Sequence, residues 1–141
     1  MNIQESNSTF KIDCLDHVAL RVSNMQESRQ WYEKVLGLKS YQKEEWGDVP
    51  IFLLAGTTGI ALFPANNQLT NPDLDLKHVK IDHFAFQLDK KNFEKARIRY
   101  EELSIRYHFQ DHHYFHSIYT RDPDGHIVEL TTIVVDPAEF Y

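Results

Sequence analysis

The chain carries an internal repeat. Leu15-Asp16-His17-Val18-Ala19-Leu20-Arg21-Val22 returns 66 residues later as Ile81-Asp82-His83-Phe84-Ala85-Phe86-Gln87-Leu88. Asp, His and Ala recur in register, and the flanking positions stay apolar. A repeat of this kind calls for two copies of one supersecondary unit. Both segments alternate. In the first, Val18, Leu20 and Val22 oppose His17, Ala19 and Arg21; in the second, Phe84, Phe86 and Leu88 oppose His83, Ala85 and Gln87. Each is expected as a half-buried strand with a polar face that presents a histidine.

A helical pattern follows each strand. Ser23 with Gln26 reads as a capping box. Trp31, Tyr32, Val35 and Leu36 form an apolar stripe that Gly37 can terminate. In the second copy Asp89 caps a helix with Phe93, Ala96, Tyr100 and Leu103 on one face. Tyr32-Glu33 matches Tyr100-Glu101 at an offset of 68, which puts two extra residues between the second strand and helix. Apolar runs at Ile51 to Ala55 and Ile60 to Phe63 flank Gly56-Thr57-Thr58-Gly59. Phe115 to Thr120 and Ile127 to Thr132 flank Arg121-Asp122-Pro123-Asp124-Gly125 in the same way. The expectation is an α+β fold in a single domain over residues 1–141, with βαβββ modules at about 14–63 and 81–135. Pro64 to Lys80, rich in Asn, Asp and Pro, is a linker by composition. The first ten residues and the last few are expected as tails.

Strand pairing brings a ligand set into view. A hairpin that sets Asp122 opposite His126 also sets Tyr119 opposite Glu129, and cross-strand partners share a face. Ile127 and Thr131 lie on the Glu129 face, while Val128 and Leu130 point away. A buried mid-strand carboxylate is costly without a partner, and a bound cation would supply one. His17, His83 and Glu129 make a two-histidine, one-carboxylate set. That donor set suits an open octahedral divalent ion, with Fe, Mn, Zn, Ni and Co all tolerated.

Composition narrows the alternatives. The 141 residues carry 15 Lys and Arg against 21 Asp and Glu, a net charge of −6, so no global nucleic-acid footprint is present. The single cysteine, Cys14, excludes an intrachain disulfide and Cys-rich zinc motifs. No apolar window is long enough for a membrane span, and the first residues lack a secretory pattern. A soluble cytoplasmic chain with a small-molecule partner, and with neither nucleic acid nor membrane, is expected.

The repeat, the two Asp-His dyads and the run Ser117-Ile118-Tyr119-Thr120-Arg121-Asp122-Pro123-Asp124-Gly125-His126-Ile127-Val128-Glu129-Leu130 resemble the vicinal oxygen chelate superfamily. Its members include glyoxalase I, extradiol ring-cleaving dioxygenases, fosfomycin-resistance enzymes and bleomycin-binding proteins. The likeness covers roughly residues 14–135. It implies paired βαβββ modules whose mixed sheets curl into a cup with flanking helices. It also implies metal ligands His17 from the first module and His83 with Glu129 from the second. A homodimer follows from the same resemblance, since short members often complete each cup with modules from two chains.

Departures from the family patterns sort the reactions. Glyoxalase I adds a fourth ligand, a Glu on the last strand of module one. At an offset of 67, Glu129 aligns with Leu62, which binds no metal. Fosfomycin-resistance enzymes usually carry H-x-T on the first strand, where this chain has Ala19, and a basic residue soon after the ligand Glu, where Thr131 to Ala138 has none. Extradiol dioxygenases use three ligands and a Tyr ten residues before the Glu, which Tyr119 matches. Their upstream His is matched by His112, although Gln110 departs from the pattern. The leading expectation is therefore an extradiol-dioxygenase-like metalloenzyme acting on a molecule with vicinal oxygens. His112 would be its acid–base and Tyr119 its hydrogen-bond donor. The alternatives are a glyoxalase-like lyase, a fosfomycin-type resistance enzyme and a metal-free antibiotic-binding protein. Arg21 and Gln87, on the face of the ligand histidines, are candidate substrate contacts. Arg121 is expected to face solvent, Tyr107 to His116 to form a solvated loop or edge strand, and Asp16 and Asp82 to point away from the ligands.

Overall fold

The computed structural model describes residues 9–65 and 80–141. Most of the linker expected over 64–80, and the start of the N-terminal tail, lie outside the described residues. Module one runs β1 (His17–Val22), α1 (Met25–Leu36), β2 (Lys39–Tyr41), β3 (Ile51–Ala55) and β4 (Thr58–Pro64). Module two runs β5 (Phe84–Gln87), α2 (Lys90–Glu102), β6 (His108–Asp111), β7 (Phe115–Arg121) and β8 (Ile127–Ile133). Each forms a four-stranded mixed sheet, ordered β1-β4-β3-β2 and β5-β8-β7-β6. The first strand of each module lies parallel to the last, and the remaining neighbours are antiparallel. The expected α+β fold with two βαβββ modules is what the chain adopts. Within one chain the two sheets do not close on each other.

Local chemistry explains the elements. The cap of α1 is Asn24 rather than Ser23: its Oδ1 accepts the Glu27 amide at 3.0 Å. Gly37 ends the helix with φ 66°, where a Cβ would be strained. Asp89 caps α2 as expected, accepting the Asn92 amide at 2.7 Å. Helix burial follows the anticipated stripes, with Tyr32 and Val35 on α1 and Phe93 and Tyr100 on α2 packed inside.

The core consists of two interlocked clusters. One gathers Leu20, Val22, Tyr32, Ile51, Leu53, Ile60 and Leu62 but includes Val128 of module two. The other gathers Phe93, Tyr100, Ile118 and Leu130 but includes Val35 of module one. Burying one such aliphatic side chain contributes roughly 1.5–3 kcal/mol, so each module leans on the other.

The Asp122-Pro123-Asp124-Gly125-His126 turn joins them through polar contacts. Tyr32 Oη donates to Asp122 Oδ2 at 2.7 Å, and Asp122 Oδ1 accepts the Asp124 and His126 amides. Asp124 in turn accepts the Ser23 amide at 3.1 Å. This conspicuous stretch therefore docks module two onto α1, and its carboxylates hold the fold.

Candidate metal centre

The inner face of each sheet carries the alternation seen in the sequence. In module two, Ala85 pairs with Glu129 and Tyr119 pairs with Glu129 from the other side. Glu129 is buried, with 8% of its surface exposed. His83 immediately precedes β5, and its Nε2 lies 2.9 Å from Glu129 Oε2. The Tyr119 ring meets the His83 ring edge-on at 5.6 Å. His112 joins them: its Nε2 and Tyr119 Oη share a hydrogen bond of 2.8 Å. The expected cross-strand partnership of Tyr119 and Glu129 is thus present, and His83 and His112 belong to the same cluster. The segment carrying His112 is partly strand, since His108–Asp111 forms β6 at the sheet edge, and His112 lies in the turn that follows.

The aspartates that precede the histidines take a part that alternation alone had assigned to the opposite face. His83 Nδ1–H donates to Asp82 Oδ2 at 2.7 Å, and His17 Nδ1–H donates to Asp16 Oδ2 at the same distance. Both dyads sit at or just before the start of a strand, where the backbone has not yet entered strict alternation. A carboxylate on one imidazole nitrogen fixes the tautomer and leaves the other nitrogen as a donor for a cation. The signal was in the sequence, as Asp directly before His in both copies.

This tautomer sharpens the geometry. With Nδ1–H engaged by Asp82, a neutral His83 directs the Nε2 lone pair at the Glu129 carboxylate. Two lone pairs 2.9 Å apart repel unless something positive sits between or beside them. A proton is one answer: the His83 pKa is raised above its ordinary value, first by the Asp82 hydrogen bond and then by the Glu129 charge. A divalent ion is the other. An imidazole nitrogen and a carboxylate oxygen side by side are donors that would suit a divalent ion, with His83 and Glu129 as the residues to hold it. Asp82 is held below the usual carboxylate range by its bond to His83. Tyr119 is pushed up by burial and by the Glu129 charge, so its phenol stays protonated at neutral pH.

His17 lies on the other sheet. Its ring contacts Phe52 edge-on at 5.1 Å, and it pairs across β4 with Gly59. A Cβ on Gly59 would collide with the Leu53 carbonyl oxygen, so glycine is required beside the His17 strand start. Among the described residues no three His, Cys, Asp or Glu side chains gather into one cation site. One chain presents two separate clusters on open sheet faces: Asp16-His17 on one, and Asp82-His83 with Glu129 on the other.

The remaining candidates divide. Arg21 lines a cleft that also includes His83, its Nη1 donating to the Pro64 carbonyl and its guanidinium lying over the Phe63 ring. Gln87 lies four residues beyond His83 along β5, about 13 Å away. It lines a separate groove beside α1 and α2. Arg121 is exposed but its Nη1 is held by the Gly125 carbonyl at 3.0 Å, beside Tyr119 in a cavity wall.

Comparison with known proteins adds to this geometry. The family described as the Glyoxalase/Bleomycin resistance protein/Dioxygenase superfamily matches residues 14–130. The metallothiol transferase FosB of Staphylococcus epidermidis is 29% identical over 136 residues, covering 94% of this chain and 91% of the relative. The glutathione transferase FosA of Serratia marcescens is 28% identical over 120 residues, covering 84% and 80%. Among solved structures, the lactoylglutathione lyase of Agrobacterium tumefaciens superposes with a TM-score of 0.67 at 25% identity, over 86% of this chain and 94% of that one.

Proposed function

Since the chain belongs to the Glyoxalase/Bleomycin resistance protein/Dioxygenase superfamily, we propose that it is a divalent-metal enzyme acting on a small molecule with adjacent oxygens, its centre shared by two copies of the chain. The observation that carries this reading is the His83 Nε2–Glu129 Oε2 pair at 2.9 Å with its tautomer set by Asp82. His83 and Glu129 would hold the ion from module two. His17, whose Nε2 is free of the Asp16 bond, would complete the set from the partner copy. Both half-sites face outward from open sheets, which supports pairing between chains.

The bound ion would act as a Lewis acid on the oxygens of the substrate. The chain's own residues do the rest. Glu129 offsets part of the cation charge. Tyr119, protonated and oriented by His112, donates a hydrogen bond where negative charge develops on an oxygen. Ala19 and Ala85 leave the inner faces of their sheets uncrowded.

For the reaction we favour transfer of a thiol onto a small electrophile, of the kind carried out by fosfomycin-type resistance enzymes. Two curated relatives covering most of the chain are named as thiol transferases. They displace ring cleavage from the lead. The His112–Tyr119 pair keeps extradiol oxygenation as the second reading, because it supplies the acid–base and donor pair expected for that chemistry.

Two experiments test the proposal. Metal titration of His17→Ala and Glu129→Gln, apart and mixed, tests the shared centre. Each variant alone is expected to lose tight binding. Mixing restores about a quarter of the sites, because only mixed dimers hold one intact set. No recovery on mixing, with each variant still folded, overturns the shared site. Loss of free thiol from glutathione or cysteine, on adding fosfomycin with Mn(II), tests the transfer. Oxygen uptake with catechols in place of thiol loss would favour the second reading.

A further inference from the structure

A chain with net charge −6 encloses a groove of the opposite sign. A cavity of about 740 Å³ is lined by the segment leading into β6 and by the end of β7, with Arg106, His108, Tyr119 and Arg121 among its residues. A second cavity of about 470 Å³ lies at the junction of the two modules, and its wall includes Arg21, Lys80, His83 and His126. Asp82, Arg121 and Ile127 line both, so the two adjoin along these residues. The fixed charges along this groove are four cations, Arg21, Lys80, Arg106 and Arg121, against one carboxylate, Asp82. Among the described residues none of the four cations forms an ion pair, and the Asp82 carboxylate is engaged by His83. Backbone carbonyls orient two of them: Pro64 holds Arg21 and Gly125 holds Arg121.

We propose that this groove binds an oxyanion, a carboxylate or phosphate-type group on the small molecule that reaches the candidate metal centre. Cations that lack carboxylate partners raise the local concentration of an anionic ligand and supply charge-assisted hydrogen bonds once it arrives. Arg121 is central because it faces both cavities and is tethered by its own turn. Ile127 provides an apolar floor for the body of the ligand. The groove opens beside His83, so an anion held by Arg121 would place the rest of its molecule next to Glu129 and Tyr119. The role of the anion at the metal rests on the reading above; the binding itself does not.

Metal-stripped protein, with the chelator removed, is titrated calorimetrically with inorganic phosphate and separately with malonate. At least one is expected to bind, and the tighter of the two identifies the oxyanion as phosphate-type or carboxylate. Arg121→Gln and Arg106→Gln should each weaken binding about tenfold or more. Arg99→Gln, exposed on α2 and paired with Glu102 away from both cavities, should leave it unchanged. Arg106→Gln carries the test where Arg121→Gln disturbs the hairpin turn. Absence of binding by both anions, or an equal loss in Arg99→Gln, overturns the inference. Protein that binds phosphate or malonate but no metal defeats the metalloenzyme reading and upholds the groove; protein that binds metal but neither anion does the reverse.

Discussion

Module one and module two superimpose in plan and part in chemistry. His17 and His83 both donate from Nδ1 to a preceding aspartate, and both meet an aromatic ring edge-on, Phe52 in one and Tyr119 in the other. Strand pairing makes the correspondence firm. Ala19 faces Ala61 and Phe52 faces Ala61; Ala85 faces Glu129 and Tyr119 faces Glu129. The counterpart of Glu129 is therefore Ala61, one place before the Leu62 that a uniform offset selects. Module one thus keeps the histidine and its orienting carboxylate, with a methyl group where module two has a carboxylate and a phenyl ring where it has a phenol. In the proposed centre one half would supply a single ligand and the other two ligands with a proton donor. Neither Ala61 nor Leu62 can bind a metal, so the case against a four-ligand centre stands.

That asymmetry predicts unequal sensitivity. Glu129→Gln should weaken metal binding by more than about 100-fold, beyond the range for residues that only orient a ligand, whereas Phe52→Ala in the matching region should barely change it. Calorimetric titration with Mn(II) checks both, and equal effects would dissolve the distinction. The orienting aspartates are expected to be symmetric. Asp16→Ala and Asp82→Ala should each weaken binding roughly 10–100-fold without removing a ligand. A loss at Asp82 alone would mean that His17 does not ligate.

Much of this was legible in the chain, for identifiable reasons. The period-two alternation around His17 and His83 fixed which face each histidine takes, and the hairpin arithmetic placed Tyr119 against Glu129. What escaped was local. Ser23 and Asn24 both cap well, and the choice fell to Asn24 because the Ser23 amide is taken by Asp124, more than a hundred residues away. The extra residues of module two fall within the helix and not before it: cap to tyrosine is 8 residues from Asn24 to Tyr32 and 11 from Asp89 to Tyr100. Three residues make nearly a full turn, so both tyrosines stay on the buried face. The basic groove was invisible because its cations come from both modules and only tertiary packing brings them together.

Those two buried tyrosines provide the next contrast. Tyr32 Oη donates to Asp122, while Tyr100 Oη finds no partner among the described residues. Burial pushes both phenols well above the ordinary tyrosine range, and the Asp122 charge pushes Tyr32 further. Tyr32→Phe leaves the Asp122 carboxylate, 5% exposed, without its side-chain donor. It should cost about 1.5–3 kcal/mol. Tyr100→Phe removes a hydroxyl that makes no such bond, and unfolding in urea should show it neutral or slightly stabilising. Comparable losses would mean that Tyr100 has a partner after all.

The smallest expected effect concerns the edge strands, where the modules again run parallel. Glu33 of α1 accepts a hydrogen bond from Ser40 Oγ on β2, and Glu101 of α2 accepts one from Tyr107 Oη just before β6, at 2.9 Å. The Ser40 hydroxyl is the main cause that holds the Glu33 carboxyl below the usual glutamate range, with Arg29 helping. A carboxylate with a lowered folded pKa stabilises the fold above its unfolded pKa, and that contribution fades as pH falls through the folded value. With 37% of the Glu33 side chain exposed, solvent screening limits the contribution to a few tenths of a kcal/mol, about the level of a surface ion pair. Ser40→Ala should therefore lower the melting temperature slightly at pH 7, and the gap from wild type should close as the pH drops below 4. A gap that persists or widens in acid would mean that Ser40 acts through packing on β2 rather than through the charge of Glu33.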